Sequence, residues 1–469
     1  MFLARPRWRR PGCVVPLFLS AVYLAAALPY SLLTRAWEAN DELDHTRYIE
    51  YIVAHGALPR ISVANGHESH QPPLYYLMAA GWQKLLGVPA FTPSATANPR
   101  IAAEDGTGRF LELLHNYTPV QHRDAVYLHE IRLLSVLFGL ATVLVAYGCA
   151  RMLLTRASAA LATGLVVALF PKQLVVDSVV TNDSLVITLC ALALFLFLQS
   201  EKARREGGSR RRAWLVLAMG TALGLAAITK YNSLPVAGLL LVLTAIPAVR
   251  QTKAGAGRGL VGRGLVAPGL AGTGFLATSL WWFIRNKVLY GQFLASRASL
   301  AYLRAWLAPL VVPVPWTNTH RFLHFVPAQL FRSTWYDGGW NQFALPKWMS
   351  AGLWALAAVS IVSAGAAFRR RATSGSFSPW VSGPALWATV GSVLAGIAAV
   401  LIIAKTTTQA EGRVAFVGLV GFALLLVVGT DAGRARGSLA RAAVFAWPAM
   451  LLGVNVYVAY SYLVPFRGL

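Results

Sequence analysis

The chain has 469 residues, of which 56% are hydrophobic and only 13% charged; soluble domains carry about 25% charged residues, so a water-soluble globule is excluded. Its net charge of +24 comes from 42 Lys and Arg against 18 Asp and Glu. Nucleic-acid binding is one source of so basic a composition, but here the basic residues are scattered through short loops between apolar runs, which argues against a nucleic-acid partner.

Uncharged windows run, in order, over 13–34, 133–150, 157–171, 184–200, 213–229, 231–249, 264–284, 348–368, 385–404, 414–430 and 442–466. A bilayer core needs about 20 apolar residues in helix. Ten windows meet that length once their edges fray, and 157–171 spans only if it runs on through Lys172–Val176. The expected fold class is therefore an all-α integral membrane protein of about 11 transmembrane helices, forming one polytopic domain over 1–469. The first window follows a basic stretch and could be read as a signal peptide, but its apolar run exceeds the usual signal core, which favours an uncleaved anchor. Cys13, Cys149 and Cys190 all fall inside windows, so neither a disulfide framework nor a thiolate metal site is expected.

Assigning alternate loops to opposite sides places 1–12, 151–156, 201–212, 250–263, 369–384 and 431–441 together, with 22 basic and three acidic residues. Basic loops stay cytoplasmic, so the N-terminus is expected inside a cell membrane. The other side holds 15 acidic residues and all nine histidines, mostly in the long loops 35–128 and 285–347. Chemistry is thus expected at the extracytoplasmic face.

Directly after the first window, Glu38, Asp41, Glu42, Asp44 and His45 crowd into eight residues. On a helix, Glu38, Asp41/Glu42 and His45 would share one face. Carboxylates beside a histidine suit either a general base tuned by a neighbour or a divalent metal site; an ordinary acidic first turn is the competing reading. The next stretch, "HESHQPPLYYLMAAGWQKLLG", starts a helix at its prolines and is expected to lie in the interface; it offers His67, His70 and Tyr75. Asp183 in "TNDSL" is a candidate second acid or a helix cap. Lys172, Lys230, Arg285, Lys405 and Arg413 flank windows on the outer side, where snorkelling helix ends are one reading. In "RSTWYDGGWNQF", Trp335, Tyr336 and Trp340 surround Asp337 and two glycines, and Trp340 fits an interfacial aromatic belt.

The Asp-Glu pair after the first span, the "PPLYY" turn some thirty residues on, and then "TNDSL", "RNKVLYGQ", "STWYDGGWNQFALPKW" and "QAEGRVAF" resemble, in that order, the GT-C membrane glycosyltransferases, which include the protein O-mannosyltransferases and the aminoarabinose transferases of lipid A. The resemblance implies transfer of a sugar from a polyprenyl-phosphate-linked donor to an extracytoplasmic glycan, lipid or protein, with inversion. The lipid phosphate so implied calls for cations among Lys172, Lys230, Arg285, Lys405 and Arg413, of which Arg413 and Lys172 are favoured, and Trp335 and Asp337 are candidate contacts for the sugar. It implies Asp41 as the catalytic base, with Glu42 and His45 orienting it or holding a metal, to which His70 could add. Related sequences show Gln-Gly-Arg-Tyr where this chain has "QAEGRV", so its spacing is loosened and Val414 replaces the tyrosine. A transporter or flippase for lipid-linked sugars is the rival expectation; it calls for polar residues at the membrane's centre.

Overall fold

A computed structural model describes residues 11–62, 65–97, 113–114, 118–253, 258–307, 319–339, 343–370, 375–405, 410–431 and 442–465. Trp340 and Gln409 lie outside the described residues, as does the side chain of His67.

Every uncharged window is helical. In chain order the helices are α1 (Pro11–Leu33), α2 (Glu42–His55), α3 (Leu74–Leu85), α4 (Pro119–Leu153), α5 (Ala157–Ala168), α6 (Pro171–Asp177), α7 (Asn182–Arg205), α8 (Ser209–Ala227), α9 (Leu234–Lys253), α10 (Arg258–Tyr290), α11 (Ser296–Leu307), α12 (Thr319–Ser333), α13 (Lys347–Arg369), α14 (Gly383–Ala404), α15 (Leu419–Thr430) and α16 (Ala446–Val458). Two small antiparallel pairs complete the fold: β1 (Thr96–Ala97) with β2 (Leu113–Leu114), and β3 (Asp337–Gly338) with β4 (Phe343–Ala344).

Among the described residues, six helices are long and apolar enough to cross a membrane, and the α5–α6 pair makes a seventh, bent by 57°. The bend explains the short window. Pro171 has no amide hydrogen to continue α5, but it suits the first turn of α6. Helix α4 is 35 residues long, about 50 Å, far more than a bilayer core needs. Its N-terminal third therefore projects beyond the apolar window. It is capped there by Thr118 and Gln121, which satisfy each other's backbone N–H groups. Helices α8 and α10 approach closely at Gly220 and Gly224, where a Cβ would come within 2.0 Å of Ala271 O and 2.2 Å of Thr278 Oγ1. Small residues four apart are how membrane helices bring their backbones together.

The two ends of the bundle differ. At one end α4, α7 and α15 run into the loops that follow α1 and α14. At the other, the turns beyond α4 and α13 are laced together: Thr155 N donates to Ser376 O at 3.1 Å and Ser378 N to Leu153 O at 2.9 Å. Arg156 pairs with Asp431 at 2.9 Å, and buried Glu201 holds Arg204 at 2.9 Å and accepts from Ser382 Oγ at 3.2 Å. One acid that the sequence reading did not single out is buried between the ends. Asp177 accepts from Gln173 Nε2 at 2.7 Å and from Tyr23 Oη at 3.2 Å. It is shut against Gly139, where a Cβ would lie 2.1 Å from Oδ2, so nothing bulky passes there.

Candidate active site

The chain leaving α1 does not run straight into α2. Trp37 and Asp41 both take the left-handed conformation, at φ 61° and 63°. Helix α2 starts only at Glu42, with Asp41 as its N-cap. The expected single helical face is therefore corrected: Glu42 and His45 are helical, whereas Glu38 lies buried in the preceding turn. Left-handed residues cost about 1–2 kcal/mol each, least for Asp, and persist only where surroundings hold them.

Glu42, itself held by Arg132, supplies that hold at Trp37, and Arg413 contacts Asp41. The Glu42 carboxylate accepts from Arg132 Nε at 2.7 Å and Nη2 at 2.6 Å, from Trp37 N at 3.0 Å and from Val180 N at 2.9 Å. Arg132 also donates to Ser31 O at 2.9 Å, Thr34 O at 2.6 Å and Arg35 O at 3.0 Å, the carbonyls left over where α1 ends. Both side chains are fully buried. Four elements meet at this one pair: the end of α1, the start of α2, α4 and the turn before α7. With its oxygens filled, Glu42 is not placed to bind a metal, and that expectation is corrected.

Asp41 faces a different cluster. Its Oδ2 lies 3.0 Å from Arg413 Nη2, Asp183 Oδ2 lies 3.7 Å from Nη1, and Glu411 Oε2 lies 2.5 Å from Nε. One guanidinium thus gathers three carboxylates. Asp183 also holds Lys230 at 2.7 Å, and the cap of α7 is Thr181 rather than Asp183. Glu411 accepts from Asn40 Nδ2 at 3.4 Å. Gly412 packs so tightly that a Cβ would come within 2.5 Å of Thr334 Cα, and its N–H donates to Ser333 Oγ at 2.8 Å. Only glycine allows that approach, which sets Glu411 and Arg413 on either side of it.

On the other flank, the metal-capable atoms of Asp41, His45 and Glu68 lie within 4.8 Å of one another. His45 Nδ1 is 2.8 Å from Tyr76 Oη and 3.7 Å from Glu68 Oε2. Burial, reinforced by Lys230 and Arg413, pushes the imidazole pKa down to about 4 against the pull of Asp41, so His45 is neutral near pH 7 and fit to ligate. Glu68 thus stands where Glu42 and His70 were expected. His70 sits instead against Gln71 and the ring of Tyr302.

The other expected residues divide. Tyr75 is fully buried, bonded to Ser135 Oγ and Thr181 N; its neighbour Tyr76, stacked on Tyr48, is the one that reaches His45 and Glu68. Trp335 is buried in an aromatic cluster, parallel to Trp447 at 5.6 Å and against Phe170 at 5.3 Å, so it is not a sugar platform. Lys172 and Asp337 form a buried ion pair with each other. Arg285 donates to Pro59 O at 3.0 Å and lies 4.9 Å over Trp282; among the described residues no carboxylate reaches it. Lys405 is exposed at the end of α14.

Comparisons agree with this architecture. The family model described as dolichyl-phosphate-mannose-protein mannosyltransferase matches residues 93–257. No curated protein sequence matches the chain. The crystal structure of ArnT from Cupriavidus metallidurans bound to undecaprenyl phosphate superposes with a TM-score of 0.53 at 17% identity, over 96% of this chain and 64% of ArnT. The Archaeoglobus fulgidus oligosaccharyltransferase crystallised with Zn and sulfate gives 0.50 at 15% identity, over 95% of this chain and 53% of that enzyme. The chain therefore has the GT-C membrane fold. It spans under two thirds of the length of either protein.

Proposed function

We propose that the protein is a glycosyltransferase that moves a sugar from a polyprenyl-phosphate-linked donor to a hydroxyl of an extracytoplasmic glycan, lipid or protein. The carrying observation is Asp41: an acid on a strained turn at the end of the first span, its side chain 16% exposed and oriented by Arg413. As the acceptor oxygen bonds to the anomeric carbon, Asp41 takes its proton, and the phosphate leaves from the opposite face with the bonding electrons. A phosphate needs a cation with donors to spare. Arg285, held by a backbone carbonyl and an indole, offers one, and Arg413 offers a second. The undecaprenyl phosphate named with the similarly folded ArnT supports this donor class. The ion-pair cluster lies where α1 ends and α2 and α7 begin rather than mid-span, which suits an enzyme more than a flippase.

Two carboxylates and a neutral imidazole fit a hard divalent cation held by Asp41, His45 and Glu68. When bound, it would supply positive charge beside the departing phosphate. Exhaustive chelation of the purified protein is expected to lower transfer at least tenfold, with recovery on adding back Mg²⁺, Mn²⁺ or Zn²⁺. Activity unchanged by chelation removes the metal from this reading.

The same reading places the Asp41 cluster outside a cell membrane and residue 12 inside. Cysteines introduced at residues 55, 300 and 408 are expected to react with an impermeant maleimide in intact cells, and one at residue 12 is not. Labelling of the 201–212 loop from outside would reverse the topology.

A further inference from the structure

The acid that this chain carries within the loosened "QAEGRV" segment sits on the donor site's own arginine. Glu411 Oε2 is 2.5 Å from Arg413 Nε, beside Asp41 at Nη2, and its other oxygen accepts from Asn40 Nδ2. Glu411 is 8% exposed at its side chain and Arg413 10%, so little water screens what happens between them. Any phosphate that approaches Arg413 therefore does so against a fixed negative charge. The penalty grows with the charge of the phosphate.

We infer that Glu411 is a specificity-determining residue that sorts lipid phosphates by charge, favouring a singly charged phosphodiester over a doubly charged monoester. The inference rests on the proposed lipid-phosphate donor. It has a direct consequence for turnover. A polyprenyl-phosphate-linked sugar is a phosphodiester with one negative charge. When the sugar leaves with its anomeric carbon, the carrier becomes a monoester, whose second ionisation near pH 6 brings its charge to about −1.5 to −2 at pH 7. Repulsion from Glu411 then acts on the product more than on the donor, so the spent lipid is expelled while a fresh donor is admitted. The backbone enforces the geometry. Gly412, pressed against Thr334 and bonded to Ser333 Oγ, fixes the backbone between Glu411 and Arg413.

The test uses two defined lipids, a polyprenyl monophosphate and its methyl phosphodiester, bound to the full-length protein in detergent at pH 8. The wild-type protein is expected to prefer the diester. Glu411→Gln is nearly isosteric and keeps an acceptor for Asn40; it should tighten the monoester about tenfold and the diester only about threefold. Glu411→Asp, which keeps the charge, should retain the wild-type preference. A merely structural Glu411 would weaken both lipids alike in Glu411→Gln. That result, or an unchanged ratio, overturns the inference while leaving the glycosyltransferase reading intact. If the wild-type protein binds neither lipid, both fall together.

Discussion

Asp41→Asn is expected to abolish sugar transfer while leaving folded protein and donor binding nearly unchanged. The substitution keeps the size of the side chain and, since Asn also tolerates the left-handed region, the backbone at φ 63°. What it removes is the proton acceptor. General base catalysis is worth roughly 10²–10⁴-fold, so residual turnover should fall by that factor at saturating donor. The measurement is transfer of labelled sugar from a polyprenyl-phosphate-linked donor, with donor binding followed in parallel. Arg413→Ala provides the contrast. It removes a partner of the ground-state phosphate, so donor binding should weaken, whereas Asp41→Asn acts on the chemical step. If Asp41→Asn turns over near the wild-type rate while folded Glu42→Gln is dead, the two acids have exchanged roles. If both turn over normally, the acidic turn only starts a helix, and the glycosyltransferase reading loses its central support.

Much of the architecture was legible because a bilayer imposes it. Gaps between charges longer than a membrane core read directly as helices, and even the bend at Pro171 follows from an amide that proline lacks. The site was legible only in part. Asp41 and Arg413 each stood out, but they are 372 residues apart and nothing in a single sequence says that they touch. Arg132 borders an apolar window, a position indistinguishable in sequence from a snorkelling helix end, and its partner Glu42 reads as part of the acidic chemistry. Glu68 was masked by the histidines beside it. In "LYYL" the phase of α3 decides which tyrosine faces the acids, and that phase depends on where the helix docks rather than on its residues. Trp335 shows the same limit: an indole next to Asp-Gly-Gly suits a sugar or a core equally well, and burial selected the core.

The second large effect is expected at the Arg132–Glu42 pair. Removing one partner of a fully buried ion pair costs about 3–5 kcal/mol, because the other charge is left unpaired. Arg132→Met should therefore lower thermal stability in detergent sharply and reduce the yield of monodisperse protein. The loss should not stop there. Arg132 also satisfies Ser31 O, Thr34 O and Arg35 O, and Glu42 satisfies Trp37 N and Val180 N. Buried backbone groups without partners cost about 1–3 kcal/mol each, so the double variant Glu42→Leu/Arg132→Met, which removes both charges, should not recover wild-type stability. Trp37 loses the contact that keeps it left-handed, and with that turn released the Asp41 carboxylate drifts from Arg413. Transfer should then fall further than the folded fraction does, even at temperatures where the variant remains folded. A double variant as stable as the wild type would show that the charges matter and the backbone groups do not. An Arg132→Met protein with wild-type melting and turnover would show that Asp41 needs no such support.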